Sequence, residues 1–258
     1  MLYSNIWRKL VFWVGDIRFI KHFPYITWDI TEFAVSYEEI TKALTKINAG
    51  DIGLHKWNGY LSNYILPGEF KHTWIHSTGY NDSNNMSDMK IVEATSEGIN
   101  KNHAIEALYS DYFIILRPKE LTTKQIQNAI KRAEKLSTLN IEYDVYFKFE
   151  IEDEIKLFNL DNKNTHNSTS QLELNCIKDR ALSCSETVAL CYYDVLPKLN
   201  IFRQEKYGKQ IIEPMAFFNN HFKLIYVSST INNKNINKFK FNEEQKAMLS
   251  KYWSEKHD

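Results

Sequence analysis

Four short segments between residues 52 and 116 constrain this chain more than any other feature. Residues 52–57, 72–77, 89–94 and 112–116 are each apolar or alternating, and turn residues bound them, so each reads as a β-strand. Pro67-Gly68 and the polar stretch 79–87 are the breaks between them. Helical patterns flank the cluster. Ser36 and Glu39 have capping-box spacing ahead of Ile40, Ala43, Leu44 and Ile47, with Gly50 as the stop. A second stripe from Thr123 runs through Ile126, Ala129, Ile130, Ala133 and Leu136. Later come a helix from Ser183 that ends before Pro197, a strand over 224–227, and a helix from about Asn242. Strands clustered together, rather than alternating with helices, predict an α+β fold and not a doubly wound sheet.

The 258 residues suffice for one sizeable core and are short for two full-sized domains. Lysine plus arginine and aspartate plus glutamate both total 32, so the chain lacks the basic excess of a nucleic-acid binder. GxGxxG, GxxxxGK[ST] and GxSxG are absent, which removes the usual signs of a dinucleotide fold, a P-loop or an α/β-hydrolase. Cys176, Cys184 and Cys191 form no CxxC, no HExxH occurs, and three thiols cannot all pair, so neither zinc nor a disulfide framework is indicated.

The expected organisation is an N-terminal amphipathic helical extension over 1–35, a main domain over 36–228, and an Asn/Lys-rich linker with a last helix over 229–258. A polar insertion without periodicity falls near 159–171. Residues 5–23 mix Trp7, Trp13, Ile17 and Phe19 with basic residues. Two readings are open: a helix packed on the domain, or peripheral contact with a membrane surface. The apolar stretch 10–14 is too short for a secretory or membrane-spanning segment, so a cytoplasmic location is expected.

Cys184 is the first candidate for chemistry. Ser183 and Glu186 have capping-box spacing, which makes Ser183 the N-cap and Cys184 the first helical residue. A sulfur there meets free backbone N–H groups and the positive end of the helix dipole, and both favour thiolate. The competing reading is packing, since Cys184 shares a helix face with Val188, Cys191 and Val195. A cysteine nucleophile needs a base. His72 opens the run His72-Thr73-Trp74-Ile75-His76, where alternation puts His72, Trp74 and His76 on one face. Two strand histidines at that spacing stand about 13 Å apart, too far to share a metal ion. A base needs an orienting group, and Glu93 sits inside the apolar segment Lys90-Ile91-Val92-Glu93-Ala94. On a neighbouring strand it would fix the His72 ring; on a half-exposed strand it would simply face water.

These segments, in this order, resemble the circularly permuted branch of the NlpC-type papain-like hydrolases, in particular the YiiX-like proteins, with lecithin retinol acyltransferase a more distant relative. Ala49-Gly50-Asp51-Ile52 is similar to the family's opening strand, and Leu61-Ser62-Asn63 leads to the histidine motif Pro67 to His72. Val92-Glu93-Ala94 followed by Glu97-Gly98-Ile99 is similar to its acidic strand, and residues 113–118 to a further strand. Tyr143-Asp144 and Phe147-Lys148-Phe149 precede the nucleophile motif Cys184-Ser185-Glu186-Thr187-Val188. The resemblance spans roughly residues 36 to 228 and implies a permuted papain-like fold: a central antiparallel sheet with a late cysteine-bearing helix packed on it. It implies a cysteine hydrolase or acyltransferase in which Cys184 attacks, His72 is the base, Glu93 orients His72, and Tyr143 supplies a hydroxyl donor or else is a core tyrosine. Neither a cofactor nor a metal is implied. The substrates implied are small-molecule, peptide or lipid acyl compounds, cell-wall peptides included. Two other classes stay open: a binding module that kept the pocket without turnover, and a structural protein in which Cys184 and His72 lie far apart. The insertion near 159–171 departs from the family pattern.

Overall fold

The computed structural model describes residues 33–60, 63, 68–78, 86–144, 181–206 and 209–256, together with the backbone of Arg18–Phe19 and Ile26–Thr27. Helix α1 spans Tyr37–Leu44 because the Ser36 hydroxyl accepts the Glu39 N–H at its first turn. The Glu39 carboxylate does not return to Ser36. It accepts the Ser229 hydroxyl at 2.7 Å, tying α1 to the far end of the chain.

Six strands follow in one sheet: β1 Ile52–Lys56, β2 His72–His76, β3 Lys90–Thr95, β4 Gly98–His103, β5 Tyr112–Pro118 and β6 Phe222–Val227. Their spatial order is β6-β5-β1-β2-β3-β4, and every neighbouring pair is antiparallel. The architecture is thus the expected α+β, with an antiparallel sheet. Both faces of the sheet are covered, which is why the strands read as nearly continuous apolar runs. Ile52, Leu54, Ile75, Val92, Ala94, Ile114 and Leu116 share one core with helices α3 (Thr123–Leu136), α4 (Cys184–Cys191) and α5 (Glu243–Ser254). Trp74, Ile91, Phe113, Ile115 and Tyr226 share the other with α1 and α2 (Ala104–Leu108). β4 lacks an apolar pattern in the sequence, with only Gly98 and Ile99 buried, and α2, which buries Ala104, Ala107 and Leu108, is too short at five residues for a periodic stripe to stand out.

The turn into β1 is fastened by the buried Asp51 carboxylate and the half-buried Arg117. Arg117 Nε and Nη2 donate to the two oxygens of Asp51 at 2.7 Å each, and the Asn48 N–H donates to the same carboxylate. Gly50, at φ +84, bonds the His76 carbonyl, and the Tyr192 hydroxyl donates to the Gly50 carbonyl. A Cβ at Gly50 would also strike Ile126 on α3 at 2.6 Å.

Helix α4 carries a full capping box, with the Ser183 N–H donating to Glu186 Oε2 at 2.8 Å and the Glu186 N–H to Ser183 Oγ. It lies on β2 and β3, with α3 against its other side, and all eight of its residues are buried. The helix expected to continue to Pro197 ends as α-helix at Cys191. Tyr193–Leu199 go on as a 3₁₀ segment containing Pro197, whose ring and missing N–H do not fit an α-helical interior. Upstream of α4, Glu142–Tyr143 runs parallel to Ala181–Leu182, and the Ile99 N–H bonds the Ile141 carbonyl, which fastens this short ladder to β4.

Arg18–Phe19 pairs antiparallel with Ile26–Thr27, so the helix expected over residues 5–23 is replaced by extended backbone at residues 18–19. The rest of residues 5–23, Phe147 with its neighbours, Cys176 and the insertion near 159–171 lie outside the described residues. Ile231, Phe241, Leu249 and Tyr252, from the expected linker and last helix, pack into the same core as α4. Among the described residues no helix is long and apolar enough to cross a membrane.

Candidate active site

Strand β2 brings His72 between two neighbours. On the β1 side the register sets His55 directly opposite it. On the β3 side the ladder contains only Ile75↔Val92 and His76↔Ile91. Past those pairs the strands are bridged by side chains instead: His72 Nε2 meets Glu93 Oε2 at 2.7 Å, with both groups buried. The second Glu93 oxygen accepts Asn102 Nδ2 from β4 at 2.8 Å. Burial alone would push Glu93 up, but the His72 hydrogen bond and charge, together with Asn102, hold its carboxyl below the ordinary range.

Cys184 reaches this opening from the first turn of α4. Its side chain is hydrogen-bonded to His72, and the Thr73 backbone N–H donates to its sulfur. Ser185 Oγ lies 3.9 Å from the sulfur. Burial opposes charge on both partners, and the pair overcomes it. The negative sulfur, its hydrogen bond and then Glu93 raise His72 to about 10. The His72 charge, its hydrogen bond, Thr73 and Ser185 hold the Cys184 thiol below its usual value. The arrangement favours thiolate on Cys184 and imidazolium on His72, with the Glu93 carboxylate beside the ring.

Tyr143 is placed beside Cys184 by the two-residue parallel ladder, which pairs it with Leu182 just ahead of the α4 cap. Its hydroxyl is hydrogen-bonded to Cys184. Burial, then the negative charges of Cys184 and Glu186, push its pKa well above normal, so it remains a neutral donor. The four residues singled out in the sequence, Cys184, His72, Glu93 and Tyr143, therefore meet at one place.

Other contributors carried no readable signal. Asn102 lies on the unread strand β4. The Thr73 contribution is a backbone amide, available where β2 and β3 part. His55, whose ring lies 4.8 Å from that of His72, owes its place to strand register. His76 is buried, and burial takes it down to about 4, so it is a neutral core histidine. Among the described residues no three His, Cys, Asp or Glu side chains are placed to hold a metal ion.

Glu186 also adjoins the site. Burial raises it to about 7 against the Ser183 bonds that pull it down, and Asp144 adds to the rise. Unfolding returns its pKa to about 4.3, so between roughly pH 4.3 and 7 the folded state holds a proton that the unfolded state has lost. That difference favours unfolding increasingly up to pH 7 and is fully present above it. Glu186→Gln keeps the cap acceptor without the charge. It is expected to raise the melting temperature at pH 8 and leave it nearly unchanged at pH 5; equal gains at both would exclude a buried, titrating Glu186.

No protein-family model matches the chain, and no curated protein matches it.

Proposed function

We propose that this protein is a cysteine-dependent hydrolase or acyltransferase with a permuted papain-like fold, acting on an amide, ester or thioester through an acyl-enzyme on Cys184. The observation that carries the reading is the buried relay from Cys184 through His72 to Glu93, which favours thiolate in a site where burial alone would suppress it. In this reading the Cys184 sulfur attacks the carbonyl carbon, and the developing oxyanion is met by the Cys184 backbone N–H at the start of α4 and by the Tyr143 hydroxyl. His72, already protonated, gives its proton to the leaving nitrogen, oxygen or sulfur as the carbonyl re-forms. It then takes a proton from water or an acceptor alcohol or amine, whose attack releases the acyl group and restores the thiolate–imidazolium pair. Substrates are acyl compounds of peptide or lipid type, and a reducing compartment suits a mechanism that needs a free thiol.

Acyl transfer from a p-nitrophenyl ester tests the reading. The wild type at pH 7 is expected to hold one acyl group on the Cys184 peptide, seen by mass spectrometry when the reaction is quenched early, and Cys184→Ser none on that thiol position. Failure of the folded wild type to be acylated by oxygen ester, thioester and activated amide, with Cys184 reactive in the unfolded chain, would leave a binding module as the function. Glu93→Gln is expected to weaken the imidazolium and move the acid limb of Cys184 alkylation up by about one pH unit, tenfold in thiolate at a given pH on that limb. An unmoved limb would remove Glu93 from the relay.

A further inference from the structure

We infer that His55 is a positioning residue: its ring is a fixed wall that sets the plane in which His72 meets Cys184 and Glu93. The inference rests on the reading of His72 as the base for Cys184. His55 is fully buried and directly opposite His72 across the β1–β2 ladder, with ring centroids 4.8 Å apart and planes 33° apart. Trp57 closes the pocket, its ring 4.2 Å from His55 in an edge-on contact and 6.0 Å from His72. His72 therefore has an aromatic surface on one side and is held by Glu93 at Nε2 and by the Cys184 side chain.

His55 is itself held. Trp74 Nε1 donates to its Nδ1 at 3.2 Å, so Nδ1 is the acceptor and the ring proton resides on Nε2. That Nε2 is buried without a hydrogen-bond partner. A buried, unpaired N–H is costly, and a phenylalanine would avoid it while offering the same flat surface. Histidine satisfies two demands at once: an acceptor for the Trp74 indole and a ring against His72. It does so without a second charge, because burial, and then the His72 imidazolium, hold its pKa well below normal. With its lone pair engaged by Trp74, it cannot compete with His72 for the Cys184 proton.

Two substitutions separate these demands. His55→Asn retains an acceptor for Trp74 but removes the ring; His55→Phe retains the ring but removes the acceptor. Each is followed by thermal unfolding and by the pH profile of iodoacetamide alkylation at Cys184. His55→Asn is expected to move the acid limb up by about one pH unit, tenfold in thiolate at a given pH on that limb. His55→Phe is expected to keep the wild-type limb while lowering the melting temperature. A wild-type limb in His55→Asn, or an equal shift in both variants, overturns the inference. A wild type with no acid-shifted limb overturns the catalytic reading instead. Nitrogen-15 NMR of the wild-type histidines provides a test that needs no variant to fold: His55 is expected as the Nε2–H tautomer, unchanged from pH 5 to 8, and titration in that range or the Nδ1–H tautomer overturns the assignment.

Discussion

Replacing His72 with alanine will slow the alkylation of Cys184 by iodoacetamide about a hundredfold at pH 6. An ordinary thiol with a pKa of ~8.5 is only about 0.3% thiolate at that pH, whereas one paired with an imidazolium is largely ionised. The lower nucleophilicity of a low-pKa thiolate returns part of that factor, which brings the expected ratio down to about a hundred. Helix α4 contains its own comparison. Cys191 is fully buried on the same helix without an imidazole, and burial pushes its thiol up to about 12 although Arg132 pulls the other way. Without His72, Cys184 moves toward that state. Peptide mass spectrometry separates Cys184 from Cys191, and labelling in urea establishes that both are reactive once exposed. Equal Cys184 rates in wild type and variant would end the proposal of an activated pair.

Gly53→Ala will lower stability by about 3 kcal/mol, the upper end of ordinary overpacking. An added Cβ would lie 2.0 Å from Cε2 and Cζ2 of Trp74, which pairs with Gly53 across β1 and β2. The indole has no room to withdraw. It is fully buried in the core beneath α1 and α2, and its Nε1 is fixed on His55. A flexible side chain would swing aside at little cost; a buried bicyclic ring moves the sheet. The urea midpoint at constant m-value measures the effect, and a loss below about 1 kcal/mol would mean that the strand pair accommodates the methyl.

The residues of the site were more legible than their meeting. Ser183 and Glu186 announce the start of α4 because capping chemistry is local, and the structure shows both capping bonds. Strands β1, β2, β3 and β5 were readable to within a residue or two at most ends because sheet burial demands apolar side chains. β4 was not. Its segment Gly98–His103 presents Asn100, Lys101, Asn102 and His103, a half-covered edge strand with no alternation to detect. The nearness of Glu93 to His72 depends on pairing across residues 79–85, and that of His55 on register, neither of which leaves a local pattern. Tyr143 is held by a parallel ladder two residues long, too short for any periodicity. The end of α4 falls earlier than the sequence suggests because Pro197 marks where an α-helix cannot continue, not where this one yields to 3₁₀ geometry.

The place of α4 late in the chain gives the thiol a history. During synthesis His55, His72 and Glu93 leave the ribosome long before Cys184, on strands that pair with one another. Until α4 docks on β2 and β3, the newly made cysteine has neither the imidazole nor the Thr73 amide and reacts as an ordinary thiol. In the proposed reading, activation therefore waits on docking: a sheet formed without α4 carries His72 and Glu93 but no paired thiol. The rate at which a folding chain acquires fast alkylation at Cys184 would time the docking of α4 itself, and, on the proposed function, partially folded chains would be spared a premature acylating centre.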